Sequence, residues 1–327
     1  DYLVGIRMYS RNRMSYDGVL RPQWERLERY NIFSASPYAD YTSVDTNLLM
    51  KERGWASLYY SDVDYDGLFL EQMLRCAQII QEYRLAEYTE FARRVVKDSI
   101  KVIESHESEW IRLEDGSGYY IFPKGCPFYL DGVEMPVDEA AIFGSALMRL
   151  YFLTHDDKWL SRARAMWRHW QHYVAQDASG YITYPYVSGL WNSGWDEKSS
   201  PSINTPNSPP VKTPDTFHKT GLLIQFMILL ERAEPGIAKD YLTEFKKVLR
   251  AAQKLGGTPI DEYPAYLGFY YPLNTYHATS PFYTGWIDLM HDDLRSQQSF
   301  ALHSLVHPSP FPDGELLWDL IGPQPGN

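Results

Sequence analysis

The sequence predicts a mainly α fold, and within that class an α/α toroid: a full or incomplete barrel of helical hairpins with aromatic loops and minor β-hairpins. Three observations predict it. Apolar residues recur at helical spacing in paired runs. The breaks between paired runs fall near residues 86, 155 and 234, about 70 to 80 residues apart, which is a loose repeat rather than a short-period solenoid. An aromatic, Gly-rich segment follows each pair. A hairpin cannot bury its apolar stripe alone, so each pair needs neighbours of its own kind. A plain helical repeat with core aromatics would give the same pattern without a cleft.

The clearest hairpin is Glu134 to Gln176. Its first helix is expected after Pro136, with Asp138 and Glu139 in the first turn, where carboxylates suit the positive end of the helix dipole. Ile142, Leu147, Leu150, Tyr151 and Leu153 form its stripe. A turn at Thr154-His155-Asp156-Asp157 leads to a second helix carrying Trp159, Leu160, Ala163, Met166, Trp167, Trp170 and Tyr173. The same plan recurs from Gly67 to Glu107, with a break at Leu85-Ala86-Glu87, and from Thr216 to Leu255, with a break at Ala233-Glu234-Pro235-Gly236.

The flanking segments follow from this ruler. Residues 1–66 are expected as an irregular segment packing on the toroid, 67–307 as the toroid, and 308–327 as a tail. Short helices are expected over Pro22–Tyr30 and Asn47–Tyr60. Asp62, Asp64 and Asp66 alternate as calcium loops can, but lack the Gly and closing Glu of an EF-hand; a cap for the first hairpin is the simpler reading. Residues 108–135 read as a β-hairpin or ordered loop. The run Ser199 to Pro210 cannot be helical, and an excursion of that length between packed helices suits a lid. A last helix is expected over about Ile287 to Val306.

Composition bounds the function. The chain has 327 residues, is 44% hydrophobic and contains 26 Tyr and 10 Trp. Many of these aromatics fall in polar segments, as in sugar clefts, where a ring packs on a pyranose face and the O–H or N–H bonds its hydroxyls. The net charge of -11 argues against nucleic acid, since no basic stripe supplies the phosphate contacts. An acidic sugar is compatible with it, because a cleft can be locally basic. Cys76 and Cys126 have neither metal nor disulfide spacing, and Cys76, in an apolar helical run, is expected to be buried. His169 and His172 are expected on a partly solvated face rather than on a metal. No metal and no cofactor is expected. The chain starts without Met and shows no leader or spanning segment, which suggests a mature or trimmed form; its compartment is left open, with secretion, the periplasm and the secretory lumen as candidates.

No strong catalytic motif is present. Paired carboxylates would suit glycoside hydrolysis; Asp138, Glu139 and Asp215 are explained by helix starts, whereas Glu262, in Asp-Glu-Tyr-Pro among aromatics, is not. Arg11 and Arg13, with Arg7, could grip a carboxylate. Tyrosines can serve proton abstraction beside a carboxylate if positive charge lowers their pKa.

Several motifs resemble the C-terminal helical region of the D-glucuronyl 5-epimerases, which act on heparosan-type polysaccharides. They are Leu153-Thr154-His155-Asp156-Asp157-Lys158-Trp159-Leu160, Tyr184-Pro185, Thr213-Pro214-Asp215-Thr216-Phe217 and Tyr276-His277-Ala278-Thr279. The resemblance spans roughly residues 135–290. It implies a toroid enzyme in which Tyr184 and Tyr276 transfer protons. The chain departs from the pattern where Thr183 replaces the family's acid, where Val137-Asp138-Glu139-Ala140 replaces its glycine-rich helix entry, and where the Ser/Pro run intervenes. Glu262-Tyr263-Pro264 is a competing match for the acid-Tyr-Pro element.

The expected function is therefore a carbohydrate-active enzyme that abstracts the proton at carbon five of a uronic acid within a polysaccharide, as an epimerase or a lyase. Tyr184, Tyr276 and Glu262 are the candidate catalytic residues. His277, Tyr263, Trp191, Trp195, Arg11, Arg13 and Lys219 are the candidates for substrate binding. The expected partner is an acidic polysaccharide or oligosaccharide, with homodimer formation left open. A hydrolase using Glu262 with a second carboxylate is one rival. A helical-repeat protein that binds glycan or protein without turnover is the other.

Overall fold

A computed structural model describes residues 7–8, 11–25, 46–128, 131–176, 182–183 and 217–244. Of these, 60% are helical and 5% lie in strands, so the described part of the chain is mainly α, as expected. In order they form α1 (Thr46–Arg53), α2 (Val63–Glu82), α3 (Thr89–Glu104), β1 (Trp110–Arg112), β2 (Gly118–Tyr120), α4 (Val137–Thr154), α5 (Asp157–Gln171), β3 (Ala175–Gln176), β4 (Ile182–Thr183) and α6 (Phe217–Ala233). Residues 239–244 are helical again after the expected break.

Local chemistry sets the ends. Asp62 caps α2, accepting from the Tyr65 backbone N–H at 3.0 Å, and Asp156 caps α5 by accepting from Lys158 N–H at 3.1 Å. The Asp62 to Asp66 run is thus a capping segment, and Asp66 turns inward and is buried. Helix α1 stops well short of Tyr60, because Gly54 takes φ +69° and ends it. Residues 22–25 are not helical, and the rest of the expected Pro22–Tyr30 helix lies outside the described residues. β1 and β2 pair antiparallel, Trp110 opposite Tyr120, which makes residues 108–135 start as the expected hairpin.

The first helices of the three hairpins pack side by side, α2 on α4 and α4 on α6, while α3 and α5 lie on their own partners. The row is parallel. Gly67 meets Phe143 near the starts of α2 and α4, and Arg232 reaches Glu82 and the Phe152 ring near the ends of all three helices. Two glycines permit the approach. A Cβ on Gly67 would lie 2.8 Å from the Phe143 backbone nitrogen, and one on Gly144 would lie 2.7 Å from the Phe226 ring. The core between the helices includes Leu70, Leu74, Phe143, Leu147, Leu150, Met166, Trp167, Trp170, Phe226 and Leu230. Each of these larger side chains contributes about 1.5–3 kcal/mol by leaving water.

One polar network crosses that core. Buried Arg149 on α4 donates to Glu71 on α2 from Nε at 3.1 Å and from Nη2 at 3.0 Å, and to Gln78 from Nη1 at 2.9 Å. Gln225 on α6 donates to the same Glu71 oxygen at 2.6 Å. The network fixes the register of three helices, because a slipped helix would leave a buried charge unpaired.

Two expectations about single residues need correction. Cys76 is exposed, and Cys126 is the buried cysteine. The apolar stripe of α2 runs through Leu70, Met73, Leu74 and Ala77, and position 76 falls off it. His169 is buried, not part of a solvated face, because Glu134 supplies an internal partner. No described helix is long and apolar enough to cross a membrane.

Candidate functional site

The hairpins have unlike ends. At one, short breaks at 83–88, 154–157 and 233–238 reverse the chain. At the other lie the starts of α2 and α4, the ends of α3 and α5, and both β-hairpins. The buried histidines, His106 and His169, lie at this second end.

The first cluster is built where α3 runs out. His106 and Glu109 are three residues apart in the turn after α3, and both are buried. The His106 Nδ1 pairs with Glu109, and Nε2 lies 2.8 Å from Asp66 Oδ2 at the start of α2. The other Asp66 oxygen accepts from Trp24 N–H at 2.9 Å and from the Ser61 hydroxyl at 2.8 Å. Two carboxylates at the two ring nitrogens call for two N–H donors, hence an imidazolium. Burial alone would lower the His106 pKa, but Glu109 and Asp66 outweigh it and push it up to about 10. Burial raises both carboxyls above their ordinary range, against the pull of His106.

A polar cleft of about 280 Å³ opens over this cluster, with Glu109, Gln23 and Ser61 in its wall. Its other side is the N-terminal segment, with Tyr16 and Arg21. That segment is docked firmly: Trp24 stacks on Phe69 at 4.9 Å, and the Tyr16 hydroxyl donates to the Lys124 carbonyl at 3.0 Å. Arg21 is held by Asp17 through bonds of 2.6 and 2.5 Å. Burial raises the Tyr16 pKa, so its phenol stays protonated.

The second cluster joins Glu134, just ahead of α4, to His169 near the end of α5, at 2.6 Å from Nε2 to Oε1. The Tyr119 ring stacks on the His169 ring at 4.7 Å, and Tyr173 meets it edge-on at 5.3 Å. Burial, then the Glu134 charge, raises the Tyr119 pKa. Beside it β3 pairs with β4, Ala175 opposite Thr183.

A larger groove of about 810 Å³ lies at the short-turn end between α2, α3 and Leu153. Its wall is apolar (Ile80, Ala92, Val96, Ile100) with Arg84, Arg93, Lys97 and Lys101 at its edge. It holds no acid–base pair, so size alone does not make it the site.

Of the candidate catalytic and substrate-binding residues, Arg11 and Arg13 are described with their side chains. Arg11 donates to Glu25 at 2.8 Å and Arg13 pairs with the same oxygen, so the two arginines do grip a carboxylate, one supplied by the chain. Lys219 lies in α6, and its side chain is outside the described residues. Tyr184, Trp191, Trp195, Glu262, Tyr263, Tyr276 and His277 also lie outside them. Sequence reasoning missed His106, Glu109, Glu134 and His169. The three-residue spacing of His106 and Glu109 after an amphipathic helix was a signal for the first pair. Nothing local announces Asp66, which is 40 residues from its histidine. Among the described residues no group of three or more His, Cys, Asp or Glu is arranged to hold a metal ion.

No family model, no curated protein and no solved structure matches the chain.

Proposed function

We propose that the hairpins close into an α/α toroid and that the chain is an enzyme acting on a uronic-acid-containing polysaccharide. One observation carries the reading: in the parallel row of first helices the two connections with described ends, 105–136 and 172–216, leave and return at one end, the end where buried histidine–carboxylate pairs lie. Tyr184 follows β4 directly in sequence, and β4 is tied to β3 at that end. Perturbed, buried ionisable groups are more frequent at reaction sites than in ordinary cores.

In this reading a tyrosinate, Tyr184 or Tyr276, takes the proton at carbon five. The electron pair moves into the adjacent carboxylate as an enolate. The other tyrosine returns a proton from the opposite face in an epimerase; in a lyase the pair instead forms the C4–C5 double bond as the C4–O bond breaks, and the other tyrosine gives its proton to the departing oxygen. Glu262 and His277 orient the tyrosines, Tyr263, Trp191 and Trp195 pack on sugar rings, and Lys219 or the Arg11–Arg13 pair meets the uronate. For the arginines this requires the uronate to displace Glu25.

Incubation with a heparosan-type polymer in heavy water tests the proposal. Deuterium in intact polymer identifies the epimerase, and absorbance from an unsaturated uronyl end identifies the lyase. Either signal should disappear in Tyr184→Phe and Tyr276→Phe. The reading fails if neither signal arises from the intact chain, or if both variants keep full turnover.

A further inference from the structure

We propose that the cleft over Glu109 is a binding site for one neutral, hydroxyl-rich ring, a single sugar unit. It uses none of the residues assigned to proton abstraction and does not rest on the uronyl reading. Three features of the cleft select this ligand class.

The first is the wall. Ser15, Ser61 and Ser108 contribute hydroxyls and Gln23 an amide, around about 280 Å³, a space for one ring rather than a chain. Tyr16 adds an aromatic face, half-buried and fixed by its bond to Lys124, of the kind that packs on the C–H face of a sugar.

The second is charge. Arg21 and Lys124 line the cleft together with Asp17 and Glu109, and the His106 imidazolium and Asp66 pair behind Glu109. Three cations against three carboxylates leave no net field for an anion, and a cation would meet a carboxylate already held by His106. A neutral ligand is what remains, with Glu109 accepting from a ring hydroxyl and Lys124 donating to another.

The third is cost. Burying an imidazolium between two carboxylates is expensive, and apolar residues of similar volume would hold the same turn at least as well. The cluster is better explained by what it presents. Glu109 lines the cleft while its carboxylate is held by His106, which restrains it as an acceptor. A preorganised acceptor binds a hydroxyl without first losing side-chain freedom.

Saturation-transfer NMR on the intact chain, with methyl β-D-glucopyranoside as probe and its uronate counterpart and inorganic phosphate as competitors, tests the site. Transfer to the neutral glucoside is expected, undiminished by phosphate. Ser108→Trp, which fills the cleft from an exposed position in its wall, should weaken binding about tenfold or more. Lys124→Trp is the second variant and should do the same, so poor folding of one does not decide the outcome. Tyr184→Phe should bind the glucoside as the native chain does, which separates this site from the proposed reaction. No transfer to the glucoside, transfer unchanged in both tryptophan variants, or displacement by phosphate overturns the proposal.

Discussion

The two ends of the helix row reverse the chain by different means. At the short-turn end the means are local. Each described turn carries one residue in the left-handed region, Arg84 at φ 53°, His155 at φ 54° and Gly236 at φ 100°. Caps close the helices within a few residues, and the ion pair between neighbours, Arg232 with Glu82, lies at the surface. At the long-loop end the means are tertiary. Asp66, His106, Glu109, Glu134 and His169 are all buried and satisfy one another across different elements. Turns made of local bonds can vary without consequence for the rest. A turn closed by buried charges couples the N-terminal segment, α2, α3 and the β-hairpin into one unit.

The largest test removes the charge at the centre. His106→Ala leaves Asp66 and Glu109 facing each other without a cation, and should cost about 3–5 kcal/mol in a urea or thermal unfolding measurement. Its pH dependence has a definite sign. The folded pKa of His106 is raised from 6.5 to about 10, so between those values the folded state keeps a proton that the unfolded chain has lost. Its stabilisation is full below about 6.5 and is lost as pH rises toward 10. The raised Asp66 and Glu109 act in the same direction, since the folded state also binds their protons more tightly. The melting temperature of the native chain should therefore fall from pH 7 to 10, and fall less in His106→Gln. A flat profile would show that the cluster does not hold an imidazolium, and would remove the distinction between the two ends.

A smaller effect probes the row itself. Gly67→Ala places a methyl 2.8 Å from a backbone nitrogen, which cannot move away as a side-chain tip can. The cost should be about 1–3 kcal/mol. Gly144→Ala meets the Phe226 ring instead, which can tilt, so its cost should be the lower of the two. Equal stability of both variants and the native chain would mean that α2, α4 and α6 pack less closely than described.

The difference between the ends also explains what was legible in the sequence. The break positions, the start of α4 after Pro136, the turn at Thr154–Asp157 and the apolar stripes of α4 and α5 are written in neighbouring residues, and they appear where expected. The long-loop end is written in partner choice. His169 looked solvated because its partner, Glu134, is 35 residues away, and Asp66 looked like one of three alternating aspartates because its partner follows α3. Cys76 misled for a different reason: an apolar run does not say which face of α2 is turned inward. The tyrosine candidates rest on motif resemblance and Glu262 on its place among aromatics away from any helix start; all of them lie outside the described residues.

The finest comparison lies among the short turns. If each turn needs one left-handed residue, the three positions should respond according to what occupies them. Gly236 has no atom within 4 Å of where a Cβ would stand, so Gly236→Ala tests the backbone alone and should cost about 1 kcal/mol. His155 already bears that strain. His155→Gly relieves it, but gives the unfolded chain more freedom to lose, about 0.5–1 kcal/mol in the opposite direction. The two effects offset, and the variant should unfold within about 0.5 kcal/mol of the native chain. Arg84→Gly should behave as His155→Gly does. A neutral Gly236→Ala together with a strongly stabilised His155→Gly would reverse the order, and would show that the third break is not a turn of the same kind as the other two.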